Sequence, residues 1–244
     1  MTSPDNSTTD QAGDGEDAAP QNVTFASNGN EAHGYLAMPP AGSGPGLVVI
    51  QEWWGLTSHI KDVTDRFAAE GFVALAPDLF GGKTTHDSDE AEQLMKDLPQ
   101  DQAARDLAGA VDYLLGSDEV TSEKLGVVGF CMGGNFVLTL ATQQGDKIAA
   151  AVPFYSVGPE PGSFDGLQAE VLGHYGENDD SLPPDQARAL ADRIAEESGR
   201  PVEFLFYPAG HAFFNDENLL GTYDEESART AWTRTLEFLR TRLT

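Results

Sequence analysis

Eight short apolar runs, separated by longer stretches whose apolar residues recur at helical spacing, constrain this chain more than any other feature. The runs are Val23–Ala26, Gly34–Met38, Gly46–Gln51, Val73–Ala76, Leu125–Phe130, Ala149–Phe154, Val171–Tyr175 and Val202–Tyr207. Several are almost continuous in aliphatic residues, which suits parallel strands covered on both faces rather than strands with one wet face. Between them, Ala103, Leu107, Ala110/Val111 and Leu114 repeat at helical spacing, and so do Ala228, Ala231/Trp232, Thr235 and Leu239. The first two runs are joined by a short polar link, whereas the later ones alternate with helices. This predicts an α/β fold: a doubly wound, mostly parallel sheet with an antiparallel N-terminal edge and helices on both faces. Sheets of this type carry their ligand sites at the carboxyl ends of the strands.

A length of 244 residues with 40% apolar content is enough for one large domain, and no apolar run is long enough to span a bilayer. Residues 1–21 hold five acids, no Lys or Arg, and many Ser, Thr, Gly and Pro. Such a segment buries too little apolar surface to offset chain entropy, so a disordered acidic tail is expected at 1–21, with a single domain over 22–244. The formal net charge of −26 excludes nucleic acid and anionic membrane surfaces as partners. Lysine is sparse, five against nine arginines, as in proteins adapted to a high-salt cytoplasm, so folding and activity are expected to need salt. The single cysteine, Cys131, cannot form an internal disulfide, and the N-terminus lacks the basic and apolar regions of a signal peptide. The expectation is a cytoplasmic protein, a monomer or weak homodimer.

The strongest local signal is Gly129-Phe130-Cys131-Met132-Gly133-Gly134, which follows a buried strand and opens a helix. Cys131 would sit on a tight strand-to-helix turn with its side chain raised above the sheet, and Gly129 and Gly133 flank it because side chains there would collide. The helix N-terminus favours a thiolate, and the Met132 N–H can point at an oxyanion. A buried structural cysteine beside a Gly-rich packing turn is the competing reading. Its partners would be a histidine after the last strand, where His211 stands, and an acid after the preceding strand. Asp179 takes that position, three residues after Gly176, with Glu177 and Asp180 as alternatives. The order nucleophile, acid, base is that of the α/β-hydrolase fold. Among the other histidines, His174 reads as a packed core or hydrogen-bonding residue, His33 precedes an edge strand, His86 lies in a solvated loop, and His59, near the first helix start, could line a pocket but is expected to be exposed on the helix.

At the end of the third run stands Glu52, a carboxylate that is costly there unless paired. It is either a structural acid or a group that faces Cys131 and His211 and tunes them. The Trp53 N–H after it is the candidate second oxyanion donor. Trp54, Phe80, Tyr155, Phe213 and Phe214, with Trp53, could wall a pocket for an apolar or cyclic ester, or belong to the core.

Gln-Glu-Trp-Trp-Gly at 51–55, Ala-Pro-Asp-Leu-Phe at 76–80, Gly-Phe-Cys-Met-Gly-Gly at 129–134, Gly-x-x-Asp at 176–179 and Ala-Gly-His-Ala-Phe at 209–213 together resemble the dienelactone hydrolase family over residues 23–244. The resemblance implies an α/β-hydrolase with a Cys-His-Asp triad, no metal and no organic cofactor, acting on a small ester or lactone. By position it implies Cys131 as nucleophile, His211 as base, Asp179 as its orienter, and a Glu52 that contacts the cysteine and helps to deliver its thiolate. It also implies an arginine clamp for a substrate carboxylate four residues after the histidine, where this chain has Asn215. A scaffold that binds a ligand or partner without catalysis is the alternative.

Overall fold

The computed structural model describes residues 20–158 and 162–243, so the expected acidic tail lies, as far as residue 19, outside the described residues. The elements run β1 (Val23–Ser27), β2 (Asn30–Ala37), β3 (Gly46–Ile50), α1 (Ser58–Ala69), β4 (Val73–Pro77), α2 (Ser88–Asp97), α3 (Gln100–Leu115), β5 (Leu125–Phe130), α4 (Met132–Gln144), β6 (Ile148–Phe154), β7 (Glu170–Gly176), α5 (Pro184–Ser198), β8 (Val202–Tyr207) and α6 (Glu225–Leu243). The strands form one sheet in the order β1-β2-β4-β3-β5-β6-β7-β8. β2 is antiparallel to β1 and to β4, and each later neighbour pair is parallel.

Successive strand residues feed opposite layers, which is why the central runs are apolar throughout. Val48 and Ile50 of β3 and Val127 of β5 pack with Leu107 and Val111 of α3, Val137 of α4 and Ile194 of α5. Leu47, Val49 and Val128 point the other way, against Val63 and Phe67 of α1 and Ala231 and Leu239 of α6. With two buried faces and no charged residue, α4 is the central helix of the first layer.

β2 begins four residues earlier than the apolar run indicates, because Asn28-Gly29 closes a two-residue hairpin that pairs Ser27 with Asn30. Both turn residues have positive φ, 45° and 88°, as a type I′ turn requires. The helix α2 turns a narrow stripe inward, with Ala91 buried and Leu94 and Met95 half-buried; Asp87 starts it by accepting from the Asp89 and Glu90 N–H groups. No helix among the described residues is long and apolar enough to cross a membrane.

Candidate active site

The carboxyl ends of β3, β5, β6, β7 and β8 converge on one cavity of about 450 Å³. Cys131 stands between β5 and α4 with φ 53° and ψ −115°, a conformation that costs an L residue of order 1–3 kcal/mol and persists only where its surroundings impose it. Those surroundings are glycine-dependent. A Cβ at Gly129 would lie 2.5 Å from the Gly133 carbonyl oxygen, and one at Gly133 would lie 2.4 Å from that of Gln51. β5 and α4 therefore approach closely enough to fold the chain sharply at the cysteine. Two more non-glycine residues with positive φ, Tyr155 (37°) and Ala212 (57°), border the same cavity.

His211, on the loop between β8 and α6, places its Nε2 3.3 Å from the Cys131 sulfur. Its Nδ1 lies 2.7 Å from Asp179 Oδ2. Asp179 is buried after β7 and its other oxygen accepts from the Ser181 and Leu182 N–H groups at 2.9 and 2.8 Å. The neighbours Glu177 and Asp180 are exposed, so of the three acids Asp179 is the one that meets His211. Burial opposes a charge on His211, yet the Asp179 and Cys131 hydrogen bonds and their negative charge outweigh it and push its pKa up to about 10.

Glu52 is 2% exposed and is stabilised by neutral donors. The Tyr155 hydroxyl donates to Oε1 at 3.1 Å and the Asn215 amide to Oε2 at 2.5 Å. The Asn215 oxygen accepts from the Glu217 N–H at 3.0 Å, which fixes the amide with its nitrogen toward Glu52. Among the described residues the Cys131 sulfur bonds to His211 while Glu52 bonds to Tyr155 and Asn215, so no hydrogen bond joins Glu52 to the cysteine. Asn215, at the position where the resemblance implies an arginine, is buried and engaged at both ends, with Glu52 and with the Glu217 N–H. Burial, reinforced by Glu52 and Cys131, holds the Tyr155 hydroxyl well above its ordinary pKa, in its donor form.

Trp53, Trp54, Tyr155 and Met132 line the cavity as their sequence positions suggest. Three aromatics do not. Phe213 and Phe214 are fully buried in the layer beneath, stacked among Phe130, Phe154 and Trp232, because the turn after His211 directs them inward. Phe80 is half-buried and packs against the opposite layer. The cavity is completed by Met95, Asn135, Leu182 and Leu220, none of which carried a motif signal.

The remaining histidines also divide. His59 is buried, not exposed: α1 turns it toward the 215–217 turn, where its Nδ1 lies 2.8 Å from Asp216 Oδ1. His174 is a core residue between the Tyr207 hydroxyl (2.8 Å) and Thr235 (3.0 Å), and burial, then the Arg234 charge, push its pKa down to about 3. His33 lies within β2 beside Thr24, and His86 is exposed. Among the described residues no group of three or more His, Cys, Asp or Glu is arranged to hold a metal ion.

A sequence profile of the dienelactone hydrolase family matches residues 32–243. The chain is 36% identical over 233 residues to Protein usf of Aquifex pyrophilus, covering 92% of this chain and 99% of that one. It is 29% identical over 231 residues to an Aquifex aeolicus protein named as a carboxymethylenebutenolidase, covering 91% and 99%. A crystal structure described as a dienelactone hydrolase from Klebsiella pneumoniae superposes with a TM-score of 0.79 at 30% identity, covering 89% of this chain and 96% of that one.

Proposed function

The chain belongs to the dienelactone hydrolase family and is a hydrolase of that kind, and from that premise we propose that it cleaves a small ester or lactone through an acyl-enzyme on Cys131. One observation carries this reading: the unbroken chain of contacts from the Cys131 sulfur through His211 to the buried Asp179, opening on an apolar cavity. A binding scaffold would have no use for a nucleophile, a base and an orienting acid in mutual contact.

In the proposed mechanism the proton of Cys131 rests on His211 and the thiolate attacks the carbonyl carbon. The developing oxyanion is held by the Met132 and Trp53 N–H groups, which donate to no partner among the described residues. Collapse of the tetrahedral adduct breaks the ester C–O bond. The leaving oxygen takes the His211 proton, directly or, where the substrate is an enol lactone, after it has departed as an enolate. The neutral imidazole then removes a proton from water, the hydroxide attacks the thioester, and the thiolate is expelled as the carboxylic acid forms. Asp179 keeps His211 in the tautomer that presents Nε2 to sulfur throughout. Glu52, held by Tyr155 and Asn215, keeps a fixed negative charge on the cavity wall and steadies the β3 turn that bears the Trp53 N–H.

The test is a Cys131→Ala variant with a native fold by circular dichroism. Ester hydrolysis is expected to fall by at least about 10³-fold, and iodoacetamide to abolish wild-type turnover. Turnover near normal in Cys131→Ala, or indifference to alkylation, would refute the assignment.

A further inference from the structure

We infer that the site selects substrates without a negative charge, an uncharged ester or lactone with an apolar body, and discriminates against carboxylate-bearing ones; this rests on the reading of Cys131 as the nucleophile. The cavity lining is predominantly apolar, and Trp53, Trp54, Met95, Leu182 and Leu220 are among the residues that form it. Among the described residues no Lys or Arg lines it. All 14 basic residues fall within the described parts of the chain, since residues 1–19, 159–161 and 244 contain no Lys, Arg or His.

The charges that do face the cavity are of the wrong sign or already engaged. Glu52 is held by a phenol and an amide, and its charge, with the Asp216 hydrogen bond, helps to hold the His59 pKa above its ordinary value against the cost of burial. His211 is engaged at both ring nitrogens, Nδ1 with Asp179 and Nε2 with the Cys131 sulfur. His59, from the neighbouring α1, is bound to Asp216. Lys96, next to Met95 in sequence, pairs with Glu92 at 2.6 Å. A substrate carboxylate entering this space would meet Glu52 at close range in a poorly solvated site, where like-charge repulsion is worth about a hundredfold in affinity or more.

The polar groups left over suit a neutral substituent. The Asn135 oxygen accepts from the Gly158 N–H at 3.1 Å, which leaves its amide hydrogens to donate, and Ser181 also lines the cavity, whereas the buried Ser156 hydroxyl lies 3.5 Å from that of Tyr175. Asn135 and Ser181 match a carbonyl, ether or hydroxyl oxygen on an otherwise apolar substrate.

Two aryl esters of nearly the same shape separate charge from fit: 4-nitrophenyl 4-carbamoylbenzoate and 4-nitrophenyl 4-carboxybenzoate. With the full-length protein, kcat/KM is expected to favour the amide by about a hundredfold. Met95→Lys, which brings a cation to the wall, should narrow that ratio by about tenfold or more, whereas Met95→Leu should not. A wild-type ratio near one or in favour of the carboxylate would overturn the inference and leave the cysteine hydrolase standing. So would a ratio that Met95→Lys does not move. Failure to cleave either ester or the neutral 4-methylbenzoate analogue would instead overturn the hydrolase reading on which the inference rests.

Discussion

His211 keeps its proton to unusually high pH because two negative partners, Asp179 and the cysteine sulfur, outweigh the cost of burying an imidazolium. With its pKa pushed up to about 10 from an ordinary 6.5, the protonated form that supplies the leaving group persists across the neutral and mildly alkaline range. The sign follows: kcat/KM for an alkyl ester, whose alkoxide must be protonated, should hold through pH 8–9 and fall as pH rises through about 10. For a p-nitrophenyl ester, whose phenolate leaves unprotonated, the alkaline fall should be absent. A pH profile of kcat/KM with both esters checks this. An alkyl-ester rate that already declines above pH 7 would contradict it. Residue-scale roles were only partly legible in the sequence. Cys131, Asp179 and His211 stand at positions that the strand-to-loop pattern marks. Asn215 as the partner of Glu52, 163 residues away, and His59 as the partner of Asp216, 157 residues away, depend on tertiary approach that no local pattern encodes.

At the scale of elements, the close approach of β5 and α4 produces the strained turn at Cys131. Gly133 is the position where that approach is least forgiving, because an added Cβ would press on the backbone oxygens of Ile50 and Gln51 at 2.5 and 2.4 Å, atoms that cannot rotate away. Gly133→Ala should therefore cost about 3 kcal/mol or prevent folding, read as the urea midpoint. A wild-type midpoint would mean that the crowding is not there. The spacing of the two glycines was visible in the sequence, as were all eight strands. The Asn28-Gly29 hairpin and α2 were not drawn from it. The first is signalled by its Asn-Gly pair, and the second by Ala91, Leu94, Met95 and Leu98 at helical spacing after the Asp87 cap. Phe213 and Phe214 show the limit from the other side, since adjacency to a catalytic position does not say whether a ring turns toward the cavity or the core.

Over the whole molecule, a net charge of −26 sets self-repulsion against a hydrophobic core of ordinary make-up. The ion pairs on the surface are largely exposed and worth little each. Screening should therefore matter more than pairing. Raising KCl from about 0.1 M to about 1 M, which shortens the Debye length from about 10 Å to about 3 Å, should raise the thermal midpoint and the active fraction. Melting curves unchanged by salt would show that the charge is spread too thinly to strain the fold. The same acidity extends to the cavity, where Glu52 gives the global charge a local effect on substrate choice.

The central claim is that Cys131 carries the acyl group between the two half-reactions. Rapid acid quench of the enzyme with a slowly hydrolysed aryl ester, followed by intact-mass and peptide analysis, tests it directly. The expected result is a mass increase equal to the acyl group, confined to the peptide containing Cys131 and discharged by hydroxylamine. Turnover of the ester with no acylated species at any time, or an acyl group on a different residue, would contradict the account.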